Sequence, residues 1–332
     1  MGKVIQISIL GKISGNVNAD EVIGNRITMK KMYSSNGEVL PYVSARAVKF
    51  AIRKALNEWP GLKIDPFKAD PSATEQLRLM DSGNPNEFVD NDLFGYMVTT
   101  GKGKETYKRY SPIAVSYFKA LRDTPIKSEF AARFPRDDEI ESTEKKKSDP
   151  VPFEVEVAEF IGRLNVLIYD YIGDYTQTKS TTYDPEKVKN PKESYQERCK
   201  RLSAFLQILL TPSYVLPRRS NSLNIPEYIG ALVCMSEVGP LPIYQYMDYV
   251  TTGNGATSIN KNQLSNFGIR ADISKRLKDR RISLFFIDFN NSLSEKQKSS
   301  LDEIGIKETE LPTLASDACD FLFDASNIKK NK

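Results

Sequence analysis

The chain is 332 residues long, 40% hydrophobic and 27% charged, with a net charge of only +4, which suits one large folded domain or two and excludes a polybasic tail. It contains no histidine, which removes Ser-His-Asp and Cys-His nucleophiles, histidine general acid–base chemistry and the commonest transition-metal ligand sets. Cys199, Cys234 and Cys319 are far apart and odd in number, so they read as small buried hydrophobes in a reducing, cytoplasmic compartment, with no metal spacing. The opening MGKVIQISIL has no signal-peptide pattern, and no run approaches the ~20 apolar residues of a membrane span, so no membrane partner is expected.

In chain order, Val4–Ile13 alternates Ile5, Ile7 and Ile9 against Gln6 and Ser8, which predicts a half-buried strand. Ser14–Asp20, rich in Gly and Asn, reads as a polar loop. A basic strand follows, with Arg26, Lys30 and Lys31 around Ile27 and Met29, then an Asn36-Gly37 hairpin turn and a second short strand. Ser44 reads as the N-cap of a helix whose buried face is Val48, Ala51, Ile52, Ala55 and Leu56. Arg46, Lys49 and Arg53 share a neighbouring face. Amphipathic helices ordinarily carry such residues as a solvated face, so the stripe alone makes no site. Its convergence with the basic strand and with the free amides of a helix N-terminus makes a surface suited to anions, phosphate being the simplest.

Trp59-Pro60-Gly61 ends that helix, and the turn-rich stretch Leu62 to about Tyr107 reads as an inserted subdomain. Gly101-Lys102 is followed by Gly103 rather than Ser or Thr, so it is no nucleotide phosphate loop. Tyr110–Arg122 resumes apolar periodicity, and the charge-mixed Arg136–Pro150 is expected to be a mobile loop. Phe153–Tyr175 reads as a pair of strands separated near Gly162, with a polar linker, Thr176–Pro191, after them. Ser194–Leu210 predicts a second helix, with Cys199, Leu202, Phe205, Leu206 and Leu209 inward and Arg198, Lys200 and Arg201 wet. Arg218 and Arg219 fall in a Pro- and Asn-punctuated segment before a strand at Tyr228–Met235; they are equally readable as an ordinary exposed loop or as a basic contact. Gly253-Asn254-Gly255 marks a turn, Ile282–Phe289 a core strand with packing phenylalanines, and Ile328–Lys332 a basic solvated tail.

This order predicts an α+β fold compatible with a ferredoxin-like or RNA-recognition-type core carrying large insertions. The expected divisions are 1–57 as the beginning of the core, 58–152 as an inserted subdomain, 153–290 as the rest of the core and 291–332 as a C-terminal segment.

VSARAVKFAIRKAL after a basic strand and hairpin resembles the start of the backbone subunits of Cascade, the CRISPR RNA-guided surveillance complex. NVNADEVIGNRITMKK, DLFGYMV and KRYSPIAVSYFKALR narrow the resemblance to the DevR-type backbone subunit of subtype I-B systems. The resemblance implies the same core, with 58–152 as "fingers" along the guide RNA and 211–227 near a "thumb" hairpin. It implies a non-catalytic, cofactor-free subunit that oligomerises with neighbouring copies along CRISPR guide RNA, joins other Cascade subunits and supports pairing with target DNA in antiviral defence. Ser44, Arg46, Lys49 and Arg53, with Arg26 or Lys30 and with Arg218 and Arg219, then hold guide phosphates without reading sequence. Related subunits of RNA-targeting systems cut RNA with an aspartate in the loop after the first strand. Asp20, with Glu21 and a divalent metal, is therefore an alternative ribonuclease centre. A transcriptional-regulator reading comes from the developmental history behind the DevR name, though no helix-turn-helix pattern is present.

Overall fold

The computed structural model of the chain describes residues 2–16, 19–69, 79–99, 106–133, 151–217, 223–251, 255–268, 270, 275 and 281–323. The chain begins with β1 (Val4–Gly15), β2 (Ala19–Ile23), β3 (Arg26–Met29), β4 (Lys31–Tyr33), β5 (Val39–Val43) and α1 (Ala45–Asn57). Next are β6 (Lys68–Ala69), β7 (Leu79–Met80), α2 (Val89–Phe94), β8 (Tyr96–Thr99), β9 (Thr106–Arg109), β10 (Ile113–Val115), β11 (Phe118–Ala120) and β12 (Lys127–Arg133). Then come β13 (Val151–Tyr169), β14 (Thr181–Thr182), α3 (Tyr195–Leu210), β15 (Glu227–Ser236), β16 (Tyr249–Thr251), β17 (Thr257–Ile259) and α4 (Lys261–Gly268). The chain continues through β18 (Ile282–Asp288), α5 (Glu295–Asp302), β19 (Ile306–Glu308) and α6 (Leu311–Phe323).

The result is an α+β fold dominated by a twelve-stranded sheet, whose main path runs β19-β18-β15-β1-β13-β11-β5-β4. β1 lies at its heart, antiparallel to β13 from Val4↔Tyr169 to Gly15↔Ala158 and antiparallel to β15 on its other side. Ile5, Ile7, Ile9 and Ile13 of β1 face one core with α1, α3 and α6. Leu10 faces a second core, built with Ile229, Leu232, Leu284, Phe286, Leu264 and Leu301. The expected half-buried strand is thus buried on both faces. Its polar residues are accommodated because each finds a partner: Gln6 exchanges hydrogen bonds with the backbone of Leu241 at 2.8 and 2.6 Å, and Ser8 donates to Asn165 at 2.9 Å.

Gly162 does not break the strand in which it falls; it lies inside the 19-residue β13, directly opposite Gly11 of β1. A Cβ on either glycine would lie 3.0 Å from the Phe118 ring, so the glycine pair is the seat into which that ring packs. Phe118 is fully buried there and pins β11 to the sheet.

Residues 58–152, expected as an insertion, contribute Val89, Leu93, Ile113, Phe118 and Ala120 to the main core. Residues 291–332 contribute Leu314, Ala318, Leu322 and Phe323 through α6 and close the sheet edge through β19. Neither segment is peripheral throughout. The linker Thr176–Pro191 supplies β14 to a three-stranded sheet with β8 and β9. The readings at Arg136–Pro150, Gly101–Gly103, Gly253-Asn254 and Ile328–Lys332 lie outside the described residues.

The second helix forms where the sequence places it: Ser194 caps α3 by accepting from the Glu197 amide at 3.2 Å. Of its expected wet face, Lys200 is exposed but the two arginines are not. Arg198 and Arg201 are buried. Arg198 donates to the carbonyls of Ile172 and Asp170, both at 2.6 Å. Arg201 meets Asp92 at 2.8 Å and Glu197 at 2.9 Å, and Arg109 meets the same Asp92 at 2.5 Å. Asp92 also accepts from the Gly173 amide, so α2, α3, β9 and the turn after β13 share one buried carboxylate. Two guanidiniums around it satisfy its lone pairs, which is the condition for burying such charge.

Candidate nucleic-acid interface

The hairpin before α1 forms for the expected reason. Asn36-Gly37 turns the chain between β4 and β5, with Gly37 at φ +83, where a side chain would be strained. Ser44 is extended (φ −66, ψ 150) and its hydroxyl accepts from the Ala47 amide at 3.2 Å. Ala47, Val48, Ala51, Ile52 and Leu56 are buried, while Ala55 is partly buried against the same core. The first turn of α1 holds no acid, and its one charged residue, Arg46, is exposed with no ion pair or hydrogen bond among the described residues. A cation at the positive end of a helix is disfavoured by roughly 0.3–1 kcal/mol, an imbalance that a bound anion reverses.

The rest of the expected stripe turns inward. Lys49 is half-buried, 3.4 Å from the Ser111 hydroxyl and over the Phe94 ring, and burial lowers its pKa. Arg53 pairs with Asp90 at 2.6 Å, donates to the Asp65 carbonyl and covers the Phe67 ring. Burial pushes the Asp90 carboxyl above its ordinary range, although the Asp65 amide and Arg53 pull against it. Arg53 is therefore a tie between α1 and the segment carrying α2.

The basic strand divides similarly. It is two elements, β3 and β4, broken at Lys30, and β3 forms a hairpin with β2 across Gly24 (φ +62) that the sequence reading missed. Glycine with Asn25 was the available signal. Arg26 lies across β13, at 3.3 Å from Glu156 and 3.7 Å from Glu154, and donates to Ser128 at 2.5 Å. Its side chain keeps 45% exposure. Lys31 reaches Glu156 at 3.0 Å. Burial of Glu156 raises its pKa, but the Met29 amide, Lys31 and Arg26 outweigh that and hold it below the usual carboxylate range. Lys30 is half-buried and its carbonyl accepts from the Tyr42 amide at 3.0 Å.

Asp20 lies in β2, beside an irregularity in its pairing with β3, and not in a free loop. Its side chain, like all of Arg218 and Arg219, lies outside the described residues. The structure does bring their neighbourhoods together. The Asn16 amide donates to the Glu156 carbonyl at 2.7 Å, and the Asn224 amide donates to the Asn16 carbonyl at 3.3 Å. The end of β1 is thereby tied to the base of 211–227, where Tyr214 and Leu216 are buried and Val215 and Leu223 exposed.

Two aromatic residues passed over in the sequence meet where β5 pairs with β11. Tyr42 and Tyr117 have ring centroids 4.9 Å apart at 35°. Tyr42 is opposite Lys119 in register, and Lys119 opposite Arg163. The strand alternation of Tyr117-Phe118-Lys119 was the available signal, since a buried Phe118 sends its neighbours to the other face.

A family model described as "CRISPR-associated negative auto-regulator DevR/Csa2" matches residues 14–222. A protein of Myxococcus xanthus (strain DK1622), "CRISPR-associated protein Cas7/Cst2/DevR", is 27% identical over 159 residues, covering 46% of this chain and 51% of that protein. The chain thus spans about half the length of that curated relative. Two solved chains share the fold at 11% identity. One, titled "CRISPR RNA-guided surveillance complex", has a TM-score of 0.54 over 95% of this chain and 99% of that chain. Another, titled "CRISPR RNA-guided surveillance complex, pre-nicking", has a TM-score of 0.59 over 96% and 100%. The matched span carries the basic hairpin, α1, the knot around Asp92 and α3 alike, and this chain belongs to the CRISPR-associated DevR/Csa2 family.

Proposed function

We propose that the protein is a non-catalytic guide-RNA-binding backbone subunit of a cytoplasmic CRISPR surveillance complex, of the subtype I-B kind. Copies of it line one guide RNA, meet other Cascade subunits and hold the guide for pairing with target DNA. The observation that carries this is Arg46, unpartnered among the described residues, beside the Ser44-capped start of α1 and inside the family-matched span. Arg46 and the α1 amides hold a guide phosphate, Arg26 and Lys30 adjoin it, and Lys49 supports the helix from beneath. Arg218 and Arg219 are assigned to the thumb-like segment and residues 58–152 to the fingers. Such contacts fix register without reading bases, as a scaffold for any guide requires. Many equal sites along one strand multiply modest affinities.

The order β15-β1-β13-β11, antiparallel throughout, with α1 after β1 and α3 after β13, supports reading the core as ferredoxin-like. Neither the Asp20 ribonuclease reading nor the transcriptional-regulator reading is favoured by the family and fold matches.

The test is co-expression with a CRISPR array. Wild-type protein should copurify with protected short RNA of uniform length in a high-mass assembly, and Arg46→Glu should lose that RNA while keeping its melting temperature. Undiminished guide retention by Arg46→Glu would overturn the assignment. Lys49→Glu is a poorer probe, because Lys49 also packs against Phe94.

A further inference from the structure

The rings of Tyr42 and Tyr117 form a continuous aromatic surface on the sheet face opposite Phe118. Tyr117 is 50% exposed, and Tyr42 is half-buried behind it. Their placement is rigid. Phe118 is locked against Gly11 and Gly162 on the core side, which fixes the start of β11 and the backbone of Tyr117 directly before it. Tyr42 is held by the hydrogen bond its amide donates to the Lys30 carbonyl and by the register with Lys119. A large amphipathic ring held half-open at the start of a strand is poorly explained by packing alone, since burying it further would be favourable.

The surroundings are cationic. Lys119 is opposite Tyr42, within about 5 Å between Cβ atoms on the same face, and makes no ion pair among the described residues. β5, which carries Tyr42, ends at Val43, and Ser44 caps α1 directly after it, so the anion-seeking end of the helix follows Tyr42 within a few residues of chain. A flat aromatic surface next to positive charge fits one chemistry well: a nucleobase lying on the ring, with its phosphate at the charge.

We propose that Tyr117, backed by Tyr42 and flanked by Lys119, is a stacking platform for one unpaired base of single-stranded RNA whose adjoining phosphate lies toward Lys119. Every base has a π-face, so the platform accepts any sequence and adds affinity without readout. This inference rests on the RNA-binding reading above and adds a base contact to its phosphate contacts.

The experiment titrates full-length protein with a fluorescent single-stranded RNA of mixed sequence and with an abasic strand of equal length and phosphate count. Tyr117→Ala should weaken binding of the RNA about 5- to 150-fold, the range for loss of one base–aromatic stack. It should leave the salt dependence unchanged, bind the abasic strand like wild type, and recover with Tyr117→Phe. Arg46→Glu should weaken both strands and lower the salt slope by about one unit. The exposure of Tyr117 predicts an unchanged melting temperature, which checks that the variant is folded. Equal RNA affinity for Tyr117→Ala and wild type, with Arg46→Glu still impaired, overturns the platform and leaves the phosphate site standing. Failure of wild type to bind either strand overturns both.

Discussion

Helices α1 and α3 look alike in sequence: each opens on a serine cap, each has an apolar face, and each carries arginine and lysine beside it. Their cations have opposite fates. In α3, Arg198 and Arg201 are buried and fully occupied by carbonyls and by Asp92 and Glu197. In α1, Arg46 stands open over a first turn with no acid. Arg53, two turns further along the same face of α1, has gone the way of Arg201. A basic residue on an amphipathic helix is thus free only where the rest of the chain brings no carboxylate to it. The surplus of charge that binding needs is the residue left after internal pairing.

The sharpest way to break this contrast is at the shared carboxylate. Asp92→Ala leaves Arg109 and Arg201 buried without their counter-ion, and should destabilise the protein by about 3–5 kcal/mol in urea unfolding. A loss below about 1 kcal/mol would mean that the knot is not buried as described. Arg53→Ala should remove about 1.5–3 kcal/mol, since it strips a charged hydrogen bond from Asp90 and one from the Asp65 carbonyl. If it instead released RNA at unchanged stability, Arg53 would belong with Arg46.

Glu156 gives a pH-dependent version of the same test. Its pKa in the folded protein lies below the ordinary value, so its stabilising contribution is fully present above the unfolded-state pKa and is lost as pH falls through the folded one. Melting temperature should therefore drop on acidification below about pH 4.3, and more steeply in wild type than in Glu156→Gln. Parallel profiles would remove Glu156 from the clamp with Lys31 and Arg26. Smallest of all on stability is Arg46→Glu, expected within about 0.5 kcal/mol of wild type while abolishing guide retention.

Much of the local structure was legible. The caps at Ser44 and Ser194, the Asn36-Gly37 turn and the strand at Tyr228–Met235 all appear where short-range patterns put them. The β2–β3 hairpin was missed because Gly24-Asn25 is flanked by Val22 and Ile23 on one side and basic residues on the other, and these gave no clear alternation. Gly162 misled, since a strand glycine reads as a break, whereas here it is the seat of an aromatic ring supplied by β11. Of the candidate phosphate ligands among the described residues, only Arg46 could be picked out as open once partners were known. Arg26 is committed to carboxylates and keeps partial exposure.

The sequence by itself determined where α1 and α3 begin, where the β4–β5 turn and β15 fall, that histidine chemistry is absent, and, through the blocks around 16–31, 43–56, 92–98 and 108–122, the family to which the chain belongs. Capping, turn geometry and apolar periodicity act over a few residues, so they survive in the linear order. Only the tertiary structure decided that β1 is buried on both faces, that β13 runs unbroken, and which cations are spent internally. Those outcomes depend on partners far away in the chain: Asp92 meets Arg201 from 109 residues off, and Glu156 meets Lys31 from 125. Charge is a property of a residue, but its availability is a property of the fold.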